Sequence, residues 1–408
     1  MDPIRRRTAV SPLRRAQPVA APALPRQVDA LVAALRPEEP MHAMRPATIS
    51  ATAAAFRQAF PGTVLYAVKC NPEPAVLRAL WEGGIRHFDC ASAGEVRLVR
   101  SLFPAAHIHF MHPVKARSAI REAFVQHGVR DFVIDSAAEL AKVLAETGAP
   151  DDLGIVVRLA LPKGGAVYDL SGKFGAEAEE AVALLRAARP VARTLGVSFH
   201  VGSQCLEPPA YARAIALAAG VIRDAGVQVD VLDVGGGFPV AYPDVVPPPL
   251  VAFMDAIARA FAAADLPGVQ LWAEPGRALV AAGSSIVVQV QHRRGSQLFI
   301  NDGVYGALSD AGAPGFRFPT RLIRPGSAST APLAAFSFFG PTCDTADVMH
   351  GPFLLPADIA EGDWIEIGQL GAYGGCLRTG FNGFDRAVMV DVDDRPMLET
   401  PGYLALAA

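Results

Sequence analysis

VLYAVKCNPEPAVLRALWEGGIRHFDC, residues 64–90, carries one complete structural unit. Val64 to Val68 is a short β-rich apolar run, Pro74 to Glu82 places apolar residues at spacings of three and four, and Arg86 to Asp89 is a second β-rich run. Strand, helix and strand in that order predict a parallel pair, because a parallel neighbour is reached only through a crossover. The rhythm continues outward. Further strands read at His107 to Phe110, Asp131 to Asp135, Ile155 to Leu159, Val197 to Val201, Val229 to Asp233 and Val269 to Ala273. Helices read at Ala93 to Leu102, Ser136 to Thr147, Ala178 to Leu195 and Leu250 to Ala264. Eight such strands predict a closed (β/α)8 TIM barrel with a filled interior.

After the eighth strand the pattern changes. Ser285 to Val290, Gln297 to Ile300, Asp363 to Gly368 and Arg386 to Val390 read as strands without helices between them, which predicts an all-β sandwich or barrel domain beginning near Gly283. Met41 to Ile49 is a candidate extra strand for it, and Gly306 to Thr330 reads as an irregular excursion. The expected division is a disordered basic arm over 1–40, a barrel over 41–282 and a β domain over 283–408.

The 408 residues hold 37 basic and 40 acidic side chains, 51% hydrophobic residues and 19% charged ones, for a net charge of −3. This balance argues against nucleic acid as a partner. No charge-free run approaches the roughly 20 residues of a membrane span. The five cysteines, Cys70, Cys90, Cys205, Cys343 and Cys376, form no CxxC pair, and we read a reducing, cytoplasmic setting. Near the start, Pro12, Pro18, Pro22 and Pro25 break the amphipathic helix that an Arg-rich transit peptide would need.

A TIM barrel keeps its chemistry at the C-terminal ends of its strands. Here those ends carry Lys69, Asp89, Asp135, Arg158, His200, Gly235 to Gly237 and Glu274. Lys69 reads either as a surface cap or as an amine whose ammonium is lowered by partial burial, ready for a Schiff base. Gly235-Gly236-Gly237 is either a plain turn or a loop whose amides approach an anion closely, and Glu274-Pro275-Gly276-Arg277 follows on the next strand. Glu274 could pair with Arg277, or face a ring nitrogen and keep it protonated. His200 is a core residue or lies flat on a ring, with Ser203 reaching a phosphate. An aldehyde, a phosphate and a pyridine nitrogen together describe pyridoxal 5′-phosphate (PLP). No histidine and carboxylate spacing suggests a metal.

Tyr66-Ala67-Val68-Lys69-Cys70-Asn71, Phe88-Asp89-Cys90-Ala91-Ser92, Phe199-His200-Val201-Gly202-Ser203, Gly235-Gly236-Gly237-Phe238-Pro239, Glu274-Pro275-Gly276-Arg277, Gly340-Pro341-Thr342-Cys343-Asp344 and Gly371-Ala372-Tyr373 resemble the ornithine/diaminopimelate/arginine decarboxylases of the alanine-racemase fold type. Cys343-Asp344 and Gly237-Phe238-Pro239 are most similar to the ornithine decarboxylase branch. The resemblance implies Lys69 as the Schiff-base lysine, Glu274 as the pyridinium partner and His200 as the stacking ring. It implies phosphate contacts from Ser203, Gly237, Arg277 and Tyr373, with Asp89, Arg158, Gly236 and Gly276 also at the cofactor. It further implies a homodimer with shared active sites, in which Cys343 protonates the product carbanion, Asp344 meets a distal amine and Phe381 and Tyr305 line the substrate. Lys173 and Asp347 match a family salt bridge across the dimer.

The implied reaction is decarboxylation of a basic L-amino acid, L-ornithine to putrescine first, with L-lysine, L-arginine or a modified basic amino acid as rivals. Animal-type ornithine decarboxylases carry a Tyr-Asp-His element after Asp302-Gly303-Val304-Tyr305-Gly306. This chain has Ala313-Pro314-Gly315-Phe316 there, with Asp310 out of register. An alanine racemase would share barrel and lysine but has no use for Gly-Pro-Thr-Cys-Asp. A non-catalytic homologue would not be expected to keep Lys69, Glu274, Arg277, Cys343 and Tyr373.

Overall fold

Eight parallel strands close into a ring: β1 Thr63–Ala67, β2 His87–Cys90, β3 His107–Phe110, β4 Asp131–Ile134, β5 Gly154–Arg158, β6 Thr194–Ser198, β7 Val231–Asp233 and β8 Gln270–Ala273. Each pairs with the next in chain order and β8 returns to β1, so the expected barrel forms. This computed structural model describes residues 25–162, 166–168 and 172–403.

Alternation along the strands sorts two cores. Tyr66, Phe88, Phe110 and Phe132 point outward and are fully buried under the helices, whereas Leu65, Met111, Val133, Val156, Val231 and Trp272 fill the lumen. Helix starts follow from capping. The Ser92 and Ser136 side chains accept from the Glu95 and Glu139 amides, and the Glu95 carboxylate accepts from the Ala91 amide at 2.6 Å. Helices Pro74–Glu82, Ala93–Leu102 and Leu250–Ala264 lie where the periodicity puts them.

One barrel element differs from its reading. The helix expected to run to Leu195 ends at Ala188, because Pro190 removes a donor and restrains the residue before it. Strand β6 therefore begins at Thr194, and His200 stands beyond the strand in a loop rather than within it. That loop leads into Ser203–Cys205, which pairs antiparallel with Ala166–Tyr168.

A mixed β sheet follows the barrel, ordered Thr320–Ile323, Trp364–Ile367, Ser284–Arg294, Gln297–Ile300, Leu333–Phe339 and Val348–Pro356. Thr320–Ile323 lies inside the stretch read as irregular, and two further strands escaped the sequence reading. Met41–Met44 pairs with Ser284–Arg294 and with Val388–Asp391, while Pro46 opens a helix that takes the rest of the Met41 to Ile49 stretch. Within the stretch read as a disordered arm, residues 1–24 lie outside the described residues, but Val28–Leu35 is a helix. It buries Val28, Leu31 and Val32 against Met41, Val287, Ile323 and Trp364. No helix among the described residues is long and apolar enough to cross a membrane.

Arg45 ties these strands together from inside. Its guanidinium lies 3.0 Å from Glu366, 2.9 Å from Asp394 and 2.9 Å from Ser285 Oγ, with the Arg45 and Glu366 side chains only 3% and 1% exposed. Removing one member of a buried pair strands its partner's charge. Glu366 would keep Arg321 at 2.7 Å, so the cost of Arg45→Met falls at the low end, about 3 kcal/mol, readable in urea unfolding. Glu366→Gln in the same chain should recover part of it.

Candidate active site

Lys69 leaves the end of β1 in a single 3-10 turn, Val68–Cys70, and its Nζ reaches Asp89 Oδ2 at 2.9 Å. Asp89 lies on β2 in register with Ala67 and is 1% exposed. This overturns the expectation that burial lowers the ammonium. Desolvation does act that way, but the Asp89 and then Glu274 carboxylates outweigh it, so the ammonium is held above its ordinary value.

Glu274, at the end of β8, sits beside Asp233 at the end of β7, and no salt bridge to Arg277 forms among the described residues. Burial first, then the Asp233 and Asp89 charges, push Glu274 well above the usual carboxylate range. Asp233 is pushed up to about 7 by burial, although the Gly235 N–H donates to its Oδ1 at 2.8 Å. Asp89 Oδ1, Asp233 Oδ2 and Glu274 Oε1 are buried with no hydrogen-bond partner among the described residues. Orphaned polar atoms of this kind converge where a polar ligand is missing.

The glycine loop after β7 passes too close to its neighbours for side chains. A Cβ on Gly237, at φ +97°, would meet the Gly202 carbonyl at 2.4 Å, and one on Gly236 would meet the Glu274 carbonyl at 2.6 Å. The Tyr211 hydroxyl pins the loop by donating to the Gly236 carbonyl at 2.8 Å. His200 accepts at Nδ1 from the Gly202 N–H at 3.0 Å, and burial, then Arg158 and Lys69, lower it to about 3. It is a neutral, flat ring at neutral pH.

Arg277 is 5% exposed, opposite this loop. Its Nη1 reaches the Tyr242 hydroxyl and its Nη2 reaches Asp310, each at 2.9 Å. Phe316 and Tyr373 each lie 5.0 Å from the guanidinium, and its Nε has no partner among the described residues. Tyr373 itself adopts φ +52° and donates its N–H to the Cys70 carbonyl at 2.9 Å. One cavity is thus lined by Lys69, His200, Ser203, Gly236, Gly237, Glu274, Gly276, Arg277 and Tyr373. Arg158, at the end of β5, is not among its walls and acts on His200 and Glu274 through charge. Sequence reasoning missed Asp233, Tyr242 and Asp310, because no local motif marks a residue whose role is to hold another.

Cys343, Asp344, Tyr305 and Phe381 are brought together, but they do not line that cavity. The Tyr305 hydroxyl donates a short hydrogen bond to Asp344, the Tyr305 and Phe381 rings lie 5.0 Å apart, and the Cys343 N–H donates to Asn382 at 3.1 Å. Cys343 is exposed and Phe381 is 41% exposed. The Asp347 carboxylate accepts from the Val304 and Thr342 amides of its own chain, at 2.8 and 3.1 Å, and Lys173 stands 5.0 Å over Phe174.

A family model described as the pyridoxal-binding domain of pyridoxal-dependent decarboxylases matches residues 46–281, more than half the chain. The chain belongs to this family. Among relatives, the lysine/ornithine decarboxylase of Selenomonas ruminantium is 33% identical over 342 residues, spanning 82% of this chain and 84% of the relative. Among solved structures, the arginine decarboxylase of Paramecium bursaria Chlorella virus bound to agmatine aligns with TM-score 0.79 at 28% identity, covering 90% of this chain and 99% of that one. The lysine/ornithine decarboxylase of Vibrio vulnificus complexed with cadaverine aligns at 0.77 and 33% identity, covering 90% and 95%. As a pyridoxal-dependent decarboxylase the chain uses PLP, and the cavity suits it: an orphaned Glu274 oxygen, an Arg277 Nε without a partner among the described residues, a neutral imidazole and a glycine loop.

The raised Asp233 makes the cofactor-free decarboxylase pH-sensitive. A group whose folded value exceeds its unfolded value of 3.8 contributes stability that is complete below 3.8 and is lost as pH rises through about 7. The melting temperature of the cofactor-free protein should therefore fall between pH 5 and pH 8, and Asp233→Asn should flatten that slope.

Proposed function

We propose that this pyridoxal-dependent decarboxylase acts on basic L-amino acids, L-ornithine first and L-lysine second, in a homodimer whose active sites are shared. The reading is carried by Asp344. The Ala346 N–H and then the Tyr305 hydroxyl hold its carboxyl below the usual range, so it stays anionic at neutral pH. It stands beside two aromatic rings and an exposed cysteine, away from the Lys69 cavity. In the proposed dimer a neighbouring subunit would enclose this carboxylate, and a substrate's distal ammonium would supply the partner that an enclosed charge needs. That relatives are named for lysine, ornithine and arginine supports the class.

In this reading Lys69 would hold the cofactor's aldehyde carbon, Glu274 would face its ring nitrogen and His200 would lie on its ring. Ser203, Gly237, Arg277 and Tyr373 would hold its phosphate, with Gly236 and Gly276 leaving room, while Asp89 would hold the Lys69 amine in place and Arg158 would lie at the phenolic side. The bound group supplies an electron sink for the pair released when the Cα–carboxylate bond breaks. The chain's own residues orient that bond, exclude water and deliver a proton. Cys343, from the second protomer, donates its thiol proton at Cα, and Phe381 and Tyr305 flank the substrate's methylene chain.

Specificity between the two substrates is loose. Where animal-type enzymes carry Tyr-Asp-His, this chain places Phe316 against Arg277 and Tyr242, so the segment braces a cofactor residue and offers no second carboxylate in that register. One methylene in an apolar pocket discriminates by only about 1–3 kcal/mol.

Two experiments test this. Steady-state CO2 release should be measurable on both ornithine and lysine, and Asp344→Asn should lower kcat/KM about 10- to 100-fold, the worth of a charged hydrogen bond. Efficient turnover of a neutral or acidic amino acid, or an unimpaired variant, refutes the substrate. Mixing Lys69→Ala with Cys343→Ala protomers should restore about one quarter of wild-type sites, since half the random dimers are hybrids with one intact site. No gain after demonstrated subunit exchange means that each site is complete within one chain.

A further inference from the structure

Three turns carry Tyr305, Cys343 with Asp344, and Phe381, and none of these residues lies in a strand that would fix it. Other contacts must hold them. Asp347, 2% exposed, accepts from the Val304 N–H at 2.8 Å and from the Thr342 N–H and hydroxyl at 3.1 and 2.7 Å, which joins the Tyr305 turn to the Cys343 turn. The third turn, Phe381–Gly383, is tied to both by single hydrogen bonds. The Thr379 N–H donates to the Tyr305 carbonyl at 2.9 Å, and the Asn382 side chain accepts from the Cys343 N–H at 3.1 Å.

Arg378, three residues before Phe381, adds a charged anchor. Its Nη2 reaches Asp302 Oδ2 at 2.7 Å, with the two side chains only 10% and 2% exposed. Its Nη1 donates to the Phe384 carbonyl at 3.4 Å, just past the same turn, so one guanidinium closes the loop on itself and ties it to Asp302. Asp302 also shapes the Tyr305 turn. Its carboxylate accepts from the Gly303 N–H at 2.9 Å and the Ala307 N–H at 3.3 Å, on either side of Tyr305, and a Cβ on Gly306 would collide with it. Burial pushes the Asp302 carboxyl up, and the Arg378 charge is the strongest influence drawing it back. His42 lies 3.5 Å from the same Nη2, but burial and then the Arg378 charge lower it to about 4, so it stays neutral. Asp302 therefore joins the turn that carries Tyr305 to the loop that carries Phe381, through one arginine.

We propose that Arg378, through Asp302, sets where Phe381 stands against Tyr305 and Asp344, and thereby sets the side-chain length that the substrate pocket accepts. This rests on the reading above that the patch meets the substrate's side chain. Ornithine and lysine differ by one methylene, so the placement of the wall on which the methylenes pack decides between them. Arg378 is a positioning residue: it is absent from the walls of the Lys69 cavity and acts through Asp302.

The test compares PLP-loaded wild type with Arg378→Met, Arg378→Lys and Asp302→Asn on ornithine and on lysine, with Asp344→Asn alongside. Arg378→Met should raise KM for ornithine about 10-fold while kcat changes less than about 2-fold, and should narrow the ratio of kcat/KM between the two substrates. The visible cofactor band should stay as in wild type. Arg378→Lys keeps a cation for Asp302 and should recover most of the loss in KM. Asp302→Asn removes the ion pair from its other end, keeps an acceptor for the Gly303 and Ala307 amides, and should move KM and the ratio in the same direction, which keeps the test open if Arg378→Met does not fold. An impaired Asp344→Asn beside Arg378→Met and Asp302→Asn at wild-type KM and ratio overturns the role of Arg378 and leaves the substrate reading standing. An equal fall in kcat on both substrates with KM unchanged also overturns it, since that marks an arginine that only supports the fold. An unimpaired Asp344→Asn overturns the substrate reading and this proposal with it.

Discussion

Three carboxylates, Asp89, Asp233 and Glu274, share one end of a barrel lumen, and the negative charge they would carry together has to be answered from within the protein. In so enclosed a place each is costly to ionise alone. Lys69 answers Asp89 directly, Asp233 and Glu274 interact closely enough to titrate as a pair, and Arg158 contributes from the end of β5. Most of what distinguishes this barrel from a purely apolar one is arranged around that charge. It is also the reason that the lysine expected to be made nucleophilic by burial is held as an ammonium in the cofactor-free chain: the carboxylates beside it outweigh the desolvation that would have released its proton.

The opposite wall is built by backbone rather than charge. Gly236 and Gly237 come within van der Waals reach of the loops after β6 and β8, so the peptide itself forms the surface. Arg277 is fixed from several sides, by Tyr242, Asp310, Phe316 and Tyr373, before any ligand arrives. A preorganised guanidinium loses little freedom on binding an anion. Asp310 and Phe316 both come from the stretch after Gly306 that reads as irregular, so that stretch serves to brace Arg277.

Cys343, Asp344, Tyr305 and Phe381 form a cluster of their own on the β domain, half-exposed and apart from Lys69. An aromatic and acidic patch of this kind has little structural use in an isolated chain. The proposed homodimer would give it one, as the far wall of a neighbour's cavity.

The barrel was readable because its strands and helices are local: apolar alternation, Ser92 and Ser136 caps and glycine stops each act within a few residues. So were Lys69, Glu274 and the glycine loop, since their positions just past strand ends follow once the strands are counted. Leu333–Phe339 and Val348–Pro356 escaped because their pairing is with each other and with Gln297–Ile300, a contact set by topology rather than by periodicity. Pro190 misled the reading by only a few residues, yet it decided that His200 stands on a loop. What the sequence by itself determined is therefore the set of elements and the chemistry at their ends. Only the tertiary structure decided which charges meet. Asp310 on Arg277 and Asp233 on Glu274 are separated along the chain by tens of residues. The balance between burial and Coulomb attraction that sets their protonation exists only once the barrel has closed around them.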